Sequence, residues 1–319
     1  MLLTVALASA CELGEEPIGD GDGDGDGDGD GDGDGDGDPN DLIGDIDDTR
    51  ILSGIVNLKA EAIIKAGASV TLMPGTEFIG ADGAKLIVEG TLDVAGTSDS
   101  PVTMNVAAGA TAWVGVEVSS GGSATLTNVT GANAATLLYC RTGATLCNID
   151  SVNYVDVGKA AVAEGDVNIT ASTFQNLRNG ALTVSGGTMT VVDSVIYDAS
   201  GDIMVGSTGT LNVSYSTIGG ADGLAEHCNF HVTGGIALNI TYTNIEAGVY
   251  GIMLGGTTDA VFNYVNWTGN ATIIDPNQQP NINADMQFSY WEGGVPVLGP
   301  EYNFANESLT PIAEAGPRI

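Results

Sequence analysis

Short runs of alternating apolar and polar residues return along the chain at a nearly constant interval. The segments that begin at Val167, Met189, Leu211 and Leu238 align without gaps. The usual interval between their starts is about 22 residues, which predicts a repeat architecture, and the one from Leu211 to Leu238 is about five residues longer. We call this last one the long interval. Each segment has apolar residues at its first, third and eighth positions, with Ser, Thr or Asn among the residues between them, and such alternation is typical of β-strands.

Four more segments extend the repeat in both directions. Ala260 starts a segment one usual interval after Leu238, and Met286 starts one that fits as a shortened member. Upstream, Ala124-Thr-Leu-Thr-Asn-Val129 and Ala144-Thr-Leu-Cys-Asn-Ile149 are near copies at a slightly shorter interval. The repeat therefore covers most of the chain after Ile51.

A coil of about 22 residues has room for three short strands and three turns. One coil cannot bury its own apolar face, whereas stacked coils bury it, with each strand hydrogen-bonded to its copy about 4.8 Å away. We therefore expect an all-β fold, a right-handed single-stranded parallel β-helix (solenoid) over residues 49–319. The residues expected in one interior column are Phe174, Ile196, Ile218 and Ile245.

Two other repeat architectures fit the sequence less well. A leucine-rich repeat requires a Leu-x-x-Leu-x-Leu frame, which this chain lacks. Immunoglobulin-like sandwiches repeat at about 100 residues, and their strands are not near copies of one another at this short interval.

Tyrosine recurs at the fifth position of successive segments, at Tyr215, Tyr242 and Tyr264, and Tyr290 fits the same place. The fifth position has the parity of the inward first and third positions, which predicts that these rings belong to the core. The alternative is a stacked row on the outer surface, which would suit the binding of sugar rings.

The first ten residues are apolar and end in small side chains, which is typical of a signal peptide followed by its cleavage site. Leu7-Ala8-Ser9-Ala10-Cys11 resembles the lipobox of bacterial lipoproteins, with Ala8 where Leu is usual. The resemblance implies that residues 1–10 are removed, that Cys11 is lipidated, and that the protein is anchored at the cell outer membrane. An ordinary signal peptide cleaved before Cys11 is the alternative.

Ten uninterrupted Gly-Asp pairs occupy Gly19 to Asp38. This segment has no apolar side chain to bury, and like charges on alternate residues repel each other, so we expect residues 11–48 to form the lipid anchor and a disordered acidic linker. The pattern also resembles the start of a calcium-binding EF-hand loop, but the flanking helices and the Glu at position 12 are missing. We expect at most weak and diffuse association with Ca²⁺.

Four further segments carry a second resemblance. They are Val70-Thr-Leu-Met-Pro-Gly-Thr-Glu-Phe78, Leu86-Ile-Val-Glu-Gly-Thr-Leu92, the run from Ala95 to Thr103 with Trp113-Val-Gly115 after it, and the closing run from Thr310 to Pro317. They resemble the pectate-lyase-like β-helix domains of bacterial surface lipoproteins, over roughly residues 60 to 317. The resemblance implies the fold and not an activity, because the same scaffold carries lyases, hydrolases, epimerases and adhesins.

Charge restricts the partners of this chain. The formal net charge is −33, and residues 1–48 contain 17 of the 41 acidic residues but none of the eight Lys and Arg. Because both parts of the chain are acidic, they would repel phosphate backbones and anionic lipid headgroups. We therefore expect no nucleic-acid partner, and contact with the membrane only through the lipid anchor.

Residues that could support catalysis are sparse. A polysaccharide lyase needs a cationic groove, but the eight Lys and Arg are spread singly along the chain. A glycoside hydrolase needs carboxylates about 5 to 9 Å apart. The acids that stacked coils could bring together are Asp150, Asp156, Glu164, Asp166, Asp193 and Asp202, and the alternative for each is an exposed acid in a turn.

Both histidines and one cysteine lie in the long interval, in Glu226-His227-Cys228-Asn-Phe-His231. Histidine and cysteine are ligands of Zn²⁺ and copper, so His227, Cys228 and His231 form a candidate metal site. Strand alternation predicts that His227 and His231 point to one side and Phe230 to the other. The alternative is a structural bulge with solvated histidines and no cofactor.

The remaining pair, Cys140 and Cys147, brackets a short segment. In an oxidising compartment these two cysteines are candidates for a local disulfide. Two buried thiols on neighbouring strands are the alternative.

The sequence favours a non-catalytic binding or adhesion module that contacts carbohydrate, matrix components or other cells through one side of the β-helix. A carbohydrate-active enzyme on the same scaffold is the first alternative, and a structural envelope protein is the second. Carboxylates or histidines gathered in one deep cleft would favour the enzyme. A shallow face with rows of Thr, Asn and Tyr would favour binding.

Overall fold

The computed structural model of the chain describes residues 38–178, 180–221, 227–256, 258–275 and 282–318. The expected signal peptide, Cys11 and the Gly-Asp pairs before Asp38 lie outside the described residues. Within the described ranges, no helix is long and apolar enough to span a membrane.

The described residues form 31 β-strands. In chain order they are β1 Asp41–Ile46, β2 Thr49–Leu52, β3 Ile55–Ile64, β4 Ser69–Leu72, β5 Glu77–Gly80, β6 Lys85–Val88, β7 Thr91–Ala95, β8 Val102–Val106, β9 Gly115–Val118, β10 Ser123–Thr127, β11 Val129–Ala132, β12 Thr136–Cys140, β13 Leu146–Asp150, β14 Asn153–Val155, β15 Lys159–Ala163, β16 Val167–Thr170, β17 Thr173–Leu177, β18 Leu182–Val192, β19 Val195–Ala199, β20 Met204–Ser214, β21 Thr217–Ala221, β22 Cys228–Val232, β23 Ile236–Thr241, β24 Asn244–Glu246, β25 Tyr250–Leu254, β26 Thr258–Asn263, β27 Asn266–Thr268, β28 Thr272–Ile274, β29 Ile282–Asp285, β30 Tyr290–Trp291 and β31 Tyr302–Asn303.

The strands stack in parallel into three sheets, because each strand pairs with its equivalent in the next coil. Sheet 1 contains the end of β3, then β6, β9, β12, β15, the first parts of β18 and β20, and β22, β25 and β28. Sheet 2 contains β2, β4, β7, β10, β13, β16, the second parts of β18 and β20, and β23, β26, β29 and β31. Sheet 3 contains the start of β3, then β5, β8, β11, β14, β17, β19, β21, β24, β27 and β30. The predicted fold is confirmed as a right-handed parallel β-helix of about 11 turns.

The predicted interior column is present. Phe174 pairs with Ile196, Ile196 with Ile218, and Ile218 with Ile245, and all four side chains are fully buried. Two tryptophans continue the column, since Trp267 lies next to Ile245 and Trp291 next to Trp267. The eighth position of the repeat therefore supplies the core of sheet 3.

Two of the segment alignments were wrong in register. Ala260 pairs with Ala284 and not with Met286, so Phe288 and not Tyr290 takes the fifth position of that segment. Likewise Ala124 pairs with Cys147 and not with Ala144, because the buried pattern of β13 is carried by Cys147 and Ile149. Ala144 lies in the turn before the strand.

The β-helix begins earlier than the linker prediction placed it. Strand β1 pairs with both parts of β3, and Leu42 and Ile46 are fully buried. Residues 41–48 therefore belong to the first coil, because these two apolar side chains bring the segment into the core.

A sharp corner joins sheet 2 to sheet 3 in successive coils. The corner residue has positive φ, at Asn128, Ser151, Ala171, Asp193, Tyr215, Tyr242, Tyr264, Phe288 and Asn306. The next residue is a buried hydroxyl in several coils, at Ser172, Ser194, Ser216, Thr243 and Ser289. The Oγ of Ser194 accepts a hydrogen bond from the N–H of Ser172, and the Oγ of Ser216 accepts one from the N–H of Ser194. We call these stacked side chains the hydroxyl ladder. It accepts hydrogen bonds from backbone N–H groups at the corner, which do not pair within the sheets.

Candidate functional site

The outer face of sheet 2 is a regular array of short polar side chains. Its central column contains Thr71, Asp93, Thr125, Asn148, Asn168, Thr190, Asn212 and Asn239, which pair in register through eight successive coils. Outward neighbours lie about 4.8 Å apart between coils and about 6.6 Å apart along a strand. We call this surface the polar face, and its central column contains no aromatic or basic side chain.

Hydrogen bonds between coils hold parts of the polar face in place. The Nδ2 of Asn168 donates to the Oδ1 of Asn148 at 3.1 Å, and the Nδ2 of Asn239 donates to the Oδ1 of Asn212 at 2.9 Å. In the column nearer the corner, the Oγ1 of Thr170 donates to the Oδ1 of Asp150 at 2.6 Å. A side chain held by a neighbour loses little conformational entropy when it binds a ligand.

The tyrosines of the fifth position lie outside the core, so the prediction of an inward row was wrong. Tyr215, Tyr242 and Tyr264 occupy the corner with φ of 49°, 48° and 59°. A residue of this conformation interrupts strand alternation, so the inward position falls on the residue that follows it, which is Ser216, Thr243 or Val265 and is fully buried in each case. Tyr290 is not part of this row, because its backbone pairs with Asn266 in sheet 3.

The corner rings stack on one another along the axis of the β-helix. Their centroids are 5.1 Å apart between Tyr215 and Tyr242, 4.8 Å between Tyr242 and Tyr264, and 5.1 Å between Tyr264 and Phe288. The interplanar angles are 9° or less. Because the faces of the inner rings contact each other, this stack offers ring edges rather than the open faces on which a sugar packs.

The end of the chain returns along this corner. Asn266 exchanges two hydrogen bonds with the backbone of Ile312, and the N–H of Gly316 donates to the carbonyl of Tyr242. Arg318 then covers the outer face of Tyr215, with its guanidinium carbon 3.6 Å from the ring centroid. We call residues 310–318 the return segment.

The candidate catalytic carboxylates lie at three different corners. Asp150 and Asp193 lie between sheets 2 and 3, Glu164 and Asp166 lie between sheets 1 and 2, and Asp156 and Asp202 lie between sheets 3 and 1. Glu164 is bonded to Tyr139 and Arg141, and Asp193 to Arg318. The structure does not gather all six acids in a single cleft.

A cluster of four charged side chains lies along sheet 1. Glu117 lies 2.5 Å from Lys85 and 3.0 Å from Arg141, and Arg141 also contacts Glu164 and the ring of Tyr139. Burial alone would raise the pKa of Glu117, but the hydrogen bonds and charges of Arg141 and Lys85 outweigh burial and lower it. The opposite charges compensate each other, so this cluster is no cationic groove for a uronate chain.

Cys140 and Cys147 are joined by a disulfide, with their Cα atoms 6.2 Å apart. Cys140 ends β12 in sheet 1, and Cys147 lies in β13 of sheet 2. Both are buried, so the bond closes the corner between the two sheets from the inside.

The histidines of the long interval lie next to a buried carboxylate of the preceding coil. The Nδ1 atom of His231 lies 2.8 Å from Asp202 Oδ2, and the Nδ1 atom of His227 lies 3.5 Å from Asp202 Oδ1. The backbone N–H of Cys228 donates to Asp202 Oδ1 at 2.8 Å. The two histidines share a side as predicted, while Phe230 is fully buried.

Burial and charge shift the pKa values of this cluster. The hydrogen bond with Asp202 raises the pKa of His231, against the opposing effect of burial. Burial would raise the pKa of Asp202, but the hydrogen bonds from His231 and Cys228 lower it. Burial raises the pKa of the Cys228 thiol to about 12, and the charges of Asp202 and Asp275 act in the same direction.

From the sequence, neither Asp202 nor Asp275 was predicted next to the histidines, and Asp202 was named only as a candidate catalytic acid. The spacing could have indicated the position of Asp202, because this residue precedes Cys228 by close to the length of the long interval, which places the two in neighbouring coils. Glu226, the acid next to His227, lies outside the described residues.

The chain matches no protein-family model, and neither the comparison with curated proteins nor the comparison with solved structures found a match.

Proposed function

We propose that this protein is a non-catalytic binding module of the bacterial cell surface that recognises a repetitive, uncharged, polyhydroxylated polymer such as a polysaccharide. The observation that carries the proposal is the polar face of sheet 2, an unbroken column of Thr, Asn and Asp over eight coils. A ligand that repeats along its length meets the same groups at every coil, so weak contacts add up.

The chemistry of the polar face selects the ligand class. Hydroxyl and amide groups donate and accept hydrogen bonds, as the hydroxyl groups of a polysaccharide do. The net charge of −33 disfavours anionic polymers. The distribution of the acids over three corners favours binding over hydrolysis, because a glycoside hydrolase needs its carboxylates on both sides of one bond.

The proposed location of the protein is the outer membrane, to which a lipid on Cys11 would anchor it. This proposal rests on the resemblance of Leu7 to Cys11 to a lipobox, and the resemblance of the coils to pectate-lyase-like domains of surface lipoproteins supports the same location. Mass spectrometry of the membrane fraction should find a diacylglyceryl adduct on the peptide that starts at Cys11. Its absence there, or membrane retention of a Cys11→Ser variant, would refute the anchor.

The test of the binding function is a glycan array, followed by sedimentation with insoluble neutral polysaccharides. The full chain is compared with Thr190→Arg and Asn212→Arg, which place a large side chain in the middle of the polar face. Asn153→Arg is the matched control, since Asn153 is an exposed strand residue of sheet 3.

We expect the full chain and the Asn153→Arg variant to bind the same glycan, and the two polar-face variants to lose at least tenfold in affinity. Equal binding by all four proteins would show that the polar face is not the binding site. No binding to any glycan would refute the proposal. A reducing-sugar assay is expected to detect no release, and release would favour the enzyme.

A further inference from the structure

Four side chains with metal-binding donor atoms surround the carboxylate of Asp202. The donor atoms of Asp202, Cys228 and His231 all lie within 4.8 Å of one another, and His227 Nδ1 is 3.5 Å from the same carboxylate. Zn²⁺ takes four such ligands in a tetrahedron, with sulfur at about 2.3 Å and nitrogen or oxygen at about 2.0 Å. Asp202, His227, Cys228 and His231 supply this number of ligands from the elements that Zn²⁺ prefers.

The surroundings of the cluster favour a cation. Asp202 is 8% exposed, Cys228 is 0% exposed, and the buried Asp275 adds a second negative charge that acts on Cys228 and His231. Coordination of a metal ion is one of the ways in which buried carboxylates are stabilised. A divalent ion would offset the negative charge that is gathered here.

The location also suits a metal. Asp202 precedes the sheet 1 part of β20, and Cys228 and His231 lie in β22, which pairs with it. An ion bound by all four side chains would connect the coil of the long interval to the coil before it. Within the part of the chain that the structure describes, Asp202, Cys228 and His231 are the single group of three or more His, Cys, Asp or Glu whose donor atoms are this close.

We propose that Asp202, His227, Cys228 and His231 bind one Zn²⁺ ion, or a divalent ion of similar size and softness, as a structural centre. The thiol of Cys228 loses its proton to the solvent as the sulfur–metal bond forms, and no group is oxidised or reduced. The mixed thiolate, imidazole and carboxylate set selects Zn²⁺ over Mg²⁺ and Ca²⁺, which prefer oxygen ligands alone. The site is separate from the polar face, so the metal proposal does not depend on the binding function.

Cobalt is the probe for this site, because Co²⁺ replaces Zn²⁺ and reports its ligands by absorption. The full chain is titrated with Co²⁺ without reductant, so that the disulfide of Cys140 stays closed. We expect one equivalent to give a thiolate-to-cobalt charge-transfer band and the intense visible bands of tetrahedral Co²⁺, both abolished by Zn²⁺. Co²⁺ held by the Gly-Asp pairs would be bound by oxygen and would give neither.

Two variants identify the ligands, and a third is the matched control. Cys228→Ser should lose the thiolate band, and Asp202→Asn should weaken Co²⁺ binding at least tenfold. Cys11→Ser removes the chain's other cysteine outside the disulfide and should leave the spectrum unchanged. A thiolate band that survives in Cys228→Ser, or disappears in Cys11→Ser, would overturn the assignment.

A further measurement uses the unchanged chain, so its result does not depend on whether the variants fold. One equivalent of Zn²⁺ should raise the melting temperature of the full chain, and EDTA should reverse the rise. An unchanged melting temperature together with a purely oxygen-type Co²⁺ spectrum would refute the metal site.

Discussion

Arg318 contacts Asp193, which lies far from it in the sequence, with its Nε atom 2.7 Å from Oδ1 and its Nη2 atom 2.8 Å from Oδ2. The same guanidinium lies over the ring of Tyr215 in the next coil. The return segment is thus held at its far end by one side chain that contacts two coils. Bidentate contacts of this kind are more directional than a single ion pair.

Replacing Arg318 with Ala should loosen the return segment without unfolding the β-helix. The Arg318 side chain is largely exposed, so we expect the melting temperature to change little. Hydrogen exchange, measured by mass spectrometry, should become several-fold faster at the amides of Ile312 and Gly316, which are bonded to Asn266 and Tyr242. Arg178→Ala, at another exposed arginine, is the control, and equal exchange in both variants would contradict the role of Arg318.

The repeat could be predicted from the sequence because the core of a β-helix is formed by residues at equivalent positions of successive coils. Phe174 and Ile196 occupy the eighth position of their segments, and their pairing follows from the regular interval alone. The corner could not be predicted from the alternation of apolar and polar residues, because a residue with positive φ changes which side chains face inward. The hydroxyl that follows the corner residue in several coils was the missed signal, and it would also have aligned Ser289 with Ser216 correctly.

The candidate sites were predictable to different degrees. His227 and His231 were found because they lie in the long interval together with Cys228, but a pairing between coils was needed to place Asp202 beside them. The polar face was foreseen only as a type of surface. The return segment could not be foreseen, because the contact of Arg318 with Asp193 depends on the number of coils between them.

The buried hydroxyl ladder should contribute measurably to stability. Ser194→Ala removes the acceptor of the Ser172 N–H at a fully buried position, and leaving a buried donor unsatisfied costs about 1 to 3 kcal/mol. Urea unfolding should show a loss of this size. Ser194→Thr keeps the hydroxyl and should recover most of the loss, while Ser185→Ala, at an exposed serine, should stay within about 0.5 kcal/mol of the original chain. Equal unfolding midpoints for Ser194→Ala and Ser185→Ala would show that the ladder does not stabilise the fold.

Glu117 should make the stability of the β-helix depend on pH in the acidic range. Its folded-state pKa lies below the ordinary value of 4.5, because Arg141 and Lys85 outweigh the effect of burial. A carboxyl whose pKa is lower in the folded state stabilises the fold above the unfolded pKa, and this contribution is lost as the pH falls through the folded pKa. The contribution is therefore present in full at pH 7 and declines below about pH 4.5.

Glu117→Gln tests this dependence, because glutamine keeps the shape of the side chain and removes its charge. At pH 7 we expect the variant to be less stable by about 1 kcal/mol or less, since both cations are partly exposed to solvent. The melting temperatures of the variant and the original chain should converge as the pH falls below about 4.5 and through the lower folded-state pKa, because the carboxylate of the original chain becomes protonated. Glu61→Gln, at an exposed glutamate of β3, is the control for a general loss of negative charge. A constant difference between Glu117→Gln and the original chain over this range would mean that Glu117 stabilises the coil by packing rather than by its charge.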